Sequence, residues 1–127
     1  MAMIDWNEYR KQLGSTIAEL GRTAPDLVKG YRTLVASHAT SGALDSKTRE
    51  LVALAVAVTV RCDGCITTHV ELARRQGATQ AEITDALGVA VMVNAGAALV
   101  FSARTIDAFH AAEAAAAAVP EAPKPST

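Results

Sequence analysis

Aromatic residues are scarce in this 127-residue chain, which has one Trp, two Tyr and two Phe. So few rings give no platform for stacking nucleobases. An excess of either charge is also missing. Twelve basic and thirteen acidic side chains, scattered along the sequence, leave a net charge of −1. The electrostatic footprint of a nucleic-acid-binding domain is therefore absent. No segment alternates apolar and polar residues convincingly enough for a strand. The N-terminal residues, Met-Ala-Met-Ile-Asp-Trp, contain no basic stretch leading into an apolar run. No secretory signal is visible, and the cytoplasm is the expected compartment. Cysteine is limited to Cys62 and Cys65. In a chain without an export signal, such a pair reads as catalytic rather than structural.

Alanine and valine dominate the hydrophobic half of the sequence, and such small side chains suit closely approaching helices. The length fits one domain with a modest core. We expect an all-α, compact bundle of about six helices over residues 1–119, followed by a disordered Pro-rich tail at 120–127. The first helix is expected from Trp6 to Leu20, ended by Gly21. The second has Pro25 at its first position and apolar residues at Leu27, Val28, Tyr31, Leu34 and Val35. A loop follows over 37–43. Asp45 or Ser46 caps a third helix running to about Val60. Residues 61–64 reverse the chain, and a fourth helix opens at the cysteines and stops at Gly77. Thr79-Gln-Ala-Glu82 is a capping box for the fifth, and a sixth is expected from Ala97 through Phe109.

Val52–Val60 and Ala86–Phe101 are apolar nearly all round, and such helices need burial on every side. The second is expected to be too short for a membrane span, with Gly88, Asn94 and Gly96 as interruptions. Two such segments strain the capacity of a small domain, so a homo-oligomer is expected, with no membrane and no nucleic acid among its partners.

The chemistry concentrates in Cys62-Asp-Gly-Cys65, with His69 four residues on and Glu50 twelve residues before the first cysteine. On a helix starting near Cys62, the residues Cys62, Cys65 and His69 share one face. The helix N-terminus favours a thiolate, and the imidazole can accept its proton. Arg61 and Asp63 flank Cys62 with opposite charges. Gly64 lets the first turn adjust and another molecule approach the sulfurs. A hairpin at 61–64 would bring Glu50 to the level of His69, giving the order Glu50, His69, Cys65, Cys62. Other readings stay open on spacing alone. The cysteines can be small core residues. C-x-x-C-x-x-x-H with Glu50 offers a zinc site, although the usual second Cys/His pair is missing. Glu50 can also be an exposed first-turn acid favoured by the helix dipole. His38 and His110 match no site pattern and read as structural or solvated.

Arg49-Glu50-Leu51, Cys62-x-x-Cys65-x-x-x-His69, Gly77-Ala-Thr79 and the Glu82-Ile83 helix together resemble the alkylhydroperoxidase D–like branch of the carboxymuconolactone decarboxylase superfamily. The resemblance covers roughly residues 24–110. It implies an all-helical homo-oligomer, a trimer or hexamer, that reduces a hydroperoxide and is re-reduced by an external dithiol, with no cofactor and no metal. By position, Cys65 resembles the peroxide-attacking cysteine and Cys62 the resolving one, with His69 and Glu50 as a proton relay. Gly64 stands where peroxidase members often carry histidine. The decarboxylase branch generally lacks the cysteine pair, so the resemblance points away from lactone decarboxylation. Two functions are thus expected to compete: a dithiol peroxidase or disulfide reductase, and a non-catalytic oligomeric module that binds metal or senses redox state.

Overall fold

A computed structural model describes residues 2–39 and 42–120. These residues are all-helical, in five helices: α1 (Trp6–Thr23), α2 (Pro25–His38), α3 (Ser46–Val60), α4 (Asp63–Arg75) and α5 (Gln80–Ala117). The expected tail lies outside the described residues, apart from Pro120.

Local chemistry explains most of the boundaries. Asp5 caps α1 by accepting from the Glu8 N–H at 3.1 Å, and Asp45 caps α3 by accepting from Thr48 N–H at 2.7 Å. Gly21 does not end α1. The helix continues to Thr23 and stops at Ala24, whose non-helical backbone (φ −134°, ψ 68°) avoids the helical conformation that Pro25 disfavours in its predecessor. Gly21 instead lies against Val28 of α2, where an added β-carbon would sit 3.7 Å from the valine methyls. Similarly, α2 runs on to His38, so the expected loop begins later than its polar composition indicates.

The α3–α4 connection turns on Arg61, the only non-glycine residue with positive φ (57°) among the described residues. Cys62 N–H then donates to Ala57 O at 3.0 Å, closing the end of α3. A side chain in this left-handed conformation costs roughly 1–2 kcal/mol relative to glycine. At the end of α4, Gly77 takes φ +81°. There Ala78 N–H donates to Ala73 O at 2.9 Å and Gly77 N–H to Arg74 O at 3.0 Å. That pair of bonds is a Schellman ending.

The residues fall into two units, Met1–Ala90 and Val91–Thr127, and α5 runs through the division. In the first unit α3 packs along α4, while α1 packs against both α2 and α4. Its most buried positions are Val28, Leu54, Ala57, Thr67, Ala73 and Ala90. The alanines let helical backbones approach closely. The N-terminal end of α5 carries the expected capping box. Thr79 N–H donates to Glu82 Oε2 at 2.8 Å and Glu82 N–H to Thr79 Oγ1 at 3.1 Å. Glu82 also pairs with Lys47 of α3 at 2.8 Å, fixing α5 to the start of the hairpin.

The expected sixth helix is a continuation of α5, which spans 38 residues without a break. Gly88 and Gly96 cost only about 1 kcal/mol each inside a helix, and the surrounding alanines and leucines offset them. By length and composition α5 could cross a membrane, which corrects the expectation that this region is too short. Its Val91, Met92, Leu99, Val100 and Phe101 are all exposed.

Candidate functional site

Cys62 is the N-cap of α4, and it is extended (φ −104°, ψ 97°) because Arg61 has just reversed the chain. Its Sγ accepts a hydrogen bond from Cys65 N–H at 3.1 Å. One of the helix's unpaired first-turn donors is therefore satisfied by sulfur. The same turn brings the two Cα atoms within 5.2 Å, and Cys62 and Cys65 form a disulfide. Both cysteines are half-buried.

One turn beyond Cys65, His69 meets Glu50 across the hairpin, with Nδ1 2.7 Å from Glu50 Oε2. The side chains retain 31 % and 20 % exposure respectively. Glu50 is therefore not an exposed first-turn acid. In the tautomer that carries its hydrogen on Nδ1, the ring donates to Glu50 Oε2 and Nε2 keeps its lone pair. This arrangement follows from the α3–α4 hairpin: Glu50 precedes the turn and His69 follows it, and antiparallel packing sets them at one level. Arg49, beside Glu50, reaches back to donate from Nη1 to His38 O at 3.1 Å, tying the end of α2 to α3.

The two sulfurs and His69 border a cavity of about 530 Å³. Its other walls include Tyr9, Leu13 and Ile17 from α1, Tyr31 from α2, and Arg61, Gly64 and Thr68. A second cavity, of about 760 Å³, lies on the Glu50 side, with Leu34, His38, Arg49, Ala53 and Gln76 among its lining residues. Tyr31 and His69 border both cavities.

Gly64 is enclosed rather than open. A β-carbon there would lie 2.8 Å from Leu13 Cδ2, so any side chain requires Leu13 to move. The space beside Gly64 is occupied by Leu13 of α1. Trp6 packs edge-on against Tyr9, with ring centroids 6.3 Å apart. That contact holds Tyr9 in the cavity wall.

The four residues singled out by spacing are thus collected within one unit. Sequence reasoning missed Tyr9, Leu13, Ile17 and Tyr31. The four-residue spacing of Tyr9, Leu13 and Ile17 signals one face of α1, but nothing local says which neighbour that face meets. His38 lies at the end of α2 rather than in a loop, and it borders the second cavity. His110 sits beside Phe109 on α5, with ring centroids 6.1 Å apart. No group of three or more His, Cys, Asp or Glu side chains is placed to hold a metal ion among the described residues.

Comparison with known proteins bears on the family and the fold. An uncharacterized protein of Haemophilus influenzae is 44% identical over 110 residues, covering 87% of this chain and 97% of its own. Uncharacterized protein 4 in the cox locus of Paracoccus denitrificans is 38% identical over 84 residues, 66% of this chain and 76% of that one. The crystal structure of a carboxymuconolactone decarboxylase family protein from Legionella pneumophila superposes with a TM-score of 0.67 at 33% identity. It covers 83% of this chain and 94% of that one. A protein from Methanobacterium thermoautotrophicum gives a TM-score of 0.62 at 27% identity, covering 66% of this chain and 94% of that one. The sequence profile of one family matches residues 25–122, from the start of α2 through the hairpin and α5. With its fold, its hairpin and most of its length accounted for in this way, the chain belongs to the carboxymuconolactone decarboxylase family.

Proposed function

We propose that the protein is a dithiol oxidoreductase of the alkylhydroperoxidase D–like kind, reducing hydroperoxides through Cys65 and Cys62. One observation supports this above the others: the Cys62–Cys65 disulfide at the start of α4 borders a cavity that it shares with His69, whose Nδ1 is held by Glu50.

In the reduced protein, His69 Nε2 takes the Cys65 proton while Glu50 holds Nδ1–H and stabilises the imidazolium. The thiolate attacks the terminal oxygen of the hydroperoxide and the O–O bond breaks. Cys65 becomes a sulfenic acid, and the leaving alkoxide recovers the proton as an alcohol. Cys62 sulfur then attacks Cys65 sulfur, forming the disulfide and releasing water. An external dithiol supplies two electrons and two protons for the next turnover and is itself oxidised to a disulfide. Run toward another disulfide, the same pair acts as a disulfide reductase. The protein works in this scheme as a homo-oligomer of three or six copies, which gives the exposed apolar residues of α5 a partner.

The test is thiol counting with mass spectrometry. One equivalent of hydroperoxide should consume two thiols per chain and give an intramolecular Cys62–Cys65 bridge. Cys62→Ser should stop at a sulfenic acid on Cys65. Untouched thiols, or only bridges between chains, would remove the catalytic assignment in favour of a redox-sensing or metal-binding module. Metal analysis of the reduced protein separates those two.

A further inference from the structure

We propose that α1 governs which hydroperoxides reach Cys65, and that Leu13 is the residue that discriminates among them. This rests on the peroxidase function proposed above and adds a substrate-shape rule to it. The family profile begins at residue 25, so α1 precedes everything it matches. Yet α1 contributes Tyr9, Leu13 and Ile17 to the wall of the cavity that the sulfurs face.

The helix is fixed in that place. Trp6 O lies 3.5 Å from Thr67 Oγ1 on α4, and Arg10 lies 3.9 Å from Glu71 on the same helix. Between these positions and Ile17, Leu13 lies against Gly64, where an added β-carbon would sit 2.8 Å from Leu13 Cδ2 and displace it. Trp6, Arg10, Leu13 and Ile17 follow a three-and-four spacing, so one face of α1 makes these contacts.

Leu13 therefore stands over the backbone immediately before Cys65. A hydroperoxide oxygen approaching that sulfur carries its first carbon past Leu13, with Thr68 and His69 as the polar groups nearby. The rest of the substrate lies along Ile17, Tyr9 and Tyr31, an apolar and aromatic wall suited to a hydrocarbon tail. A carbon bearing one chain passes Leu13, whereas a carbon bearing three branches meets it. The cavity thus takes primary, linear alkyl hydroperoxides in preference to tertiary ones.

The experiment compares kcat/KM for a linear primary hydroperoxide and for tert-butyl hydroperoxide in the parent, Leu13→Ala and Leu13→Val. The parent should favour the linear substrate, and Leu13→Ala should shift the ratio toward the tertiary one by about tenfold, the scale of one or two methylenes in a tight pocket. Leu13→Val should move it part of the way. A ratio unchanged in both variants overturns the proposal, as does an unchanged ratio in Leu13→Val should Leu13→Ala fail to fold. A second readout needs no turnover. Alkylation of the reduced cysteines by a bulky maleimide, relative to iodoacetamide, should accelerate in Leu13→Val and more in Leu13→Ala. If no hydroperoxide is consumed by the parent, the peroxidase function fails, and the alkylation ratio still decides whether Leu13 covers the sulfurs.

Discussion

At the scale of single residues, the two cysteines are stabilised by different neighbours. Cys62 Sγ receives the Cys65 N–H at the start of α4, while Cys65 has an imidazole one helical turn ahead. In the proposed mechanism Glu50 acts through His69, so its removal should be felt as a change in proton transfer rather than in binding. Glu50→Gln keeps the shape and loses the charge. It should slow peroxide reduction near neutral pH by about a hundredfold, the lower end of the range for positioned acid–base groups, with the rate recovering as pH rises. His69→Ala should be slower still, because the proton acceptor itself is gone. Stopped-flow rates against pH will show this. A Glu50→Gln profile identical to the parent, beside an impaired His69→Ala, would confine the relay to His69. Much of this was legible in the sequence, because the four residues lie within twenty positions and a hairpin is enough to join them. The α1 residues were not legible, because their place over Gly64 depends on how α1 crosses α4.

Among the elements, α4 is the best secured. Glu71 takes hydrogen bonds from Arg74 (3.0 Å to each oxygen) and Arg75 (2.9 Å), while Arg10 of α1 approaches it. The Arg74 hydrogen bond, followed by that of Arg75, pulls the Glu71 carboxyl down from 4.5 to about 2. Glu82 and Asp45 are lowered as well, the first mainly by Lys47 and the second mainly by the Thr48 N–H. A carboxylate depressed in the folded state stabilises it fully above its ordinary value. That contribution fades as pH falls from about 4.5 and is lost through about 2. The thermal midpoint of Glu71→Gln should therefore fall less steeply than the parent's across that window, and salt should narrow the difference because Arg74 and Arg75 are exposed. Parallel curves would mean that the arginine cluster adds nothing to stability. The caps at Asp45 and Thr79 and the ending at Gly77 were readable because each depends on a few adjacent residues. The unbroken length of α5 was not, because Gly88 and Gly96 look like breakers locally and act as minor costs in a long alanine-rich helix.

For the whole molecule, the exposed apolar surface is the dominant fact. Val91, Leu99 and Phe101 on α5 are 69 %, 74 % and 62 % exposed, and Leu27 and Leu34 on α2 are 64 % and 67 %. Such residues in contiguous groups mark an interaction surface. In the proposed homo-oligomer a second copy of the chain would cover them, with the small residues Gly88, Ala95 and Gly96 allowing close approach. Sedimentation in detergent-free buffer should give three or six copies, and the thermal midpoint should rise with protein concentration, as for any fold stabilised by its own association. A monomer at micromolar concentration, or recovery only with membranes, would remove the assembly from the proposal.

The Glu50–His69 contact spans only nineteen positions of chain, and this separates two events in time. Local pairings form quickly because little loop entropy must be overcome first. The redox hairpin should therefore assemble in an early phase whose rate is independent of concentration. The proposed association through α5 would require collision and should follow in a phase that quickens with concentration. Refolding reduced protein at several dilutions, followed by protection of Cys65 from alkylation and by light scattering, should resolve the two. The hairpin that carries the chemistry would then be native before the chain has met a partner.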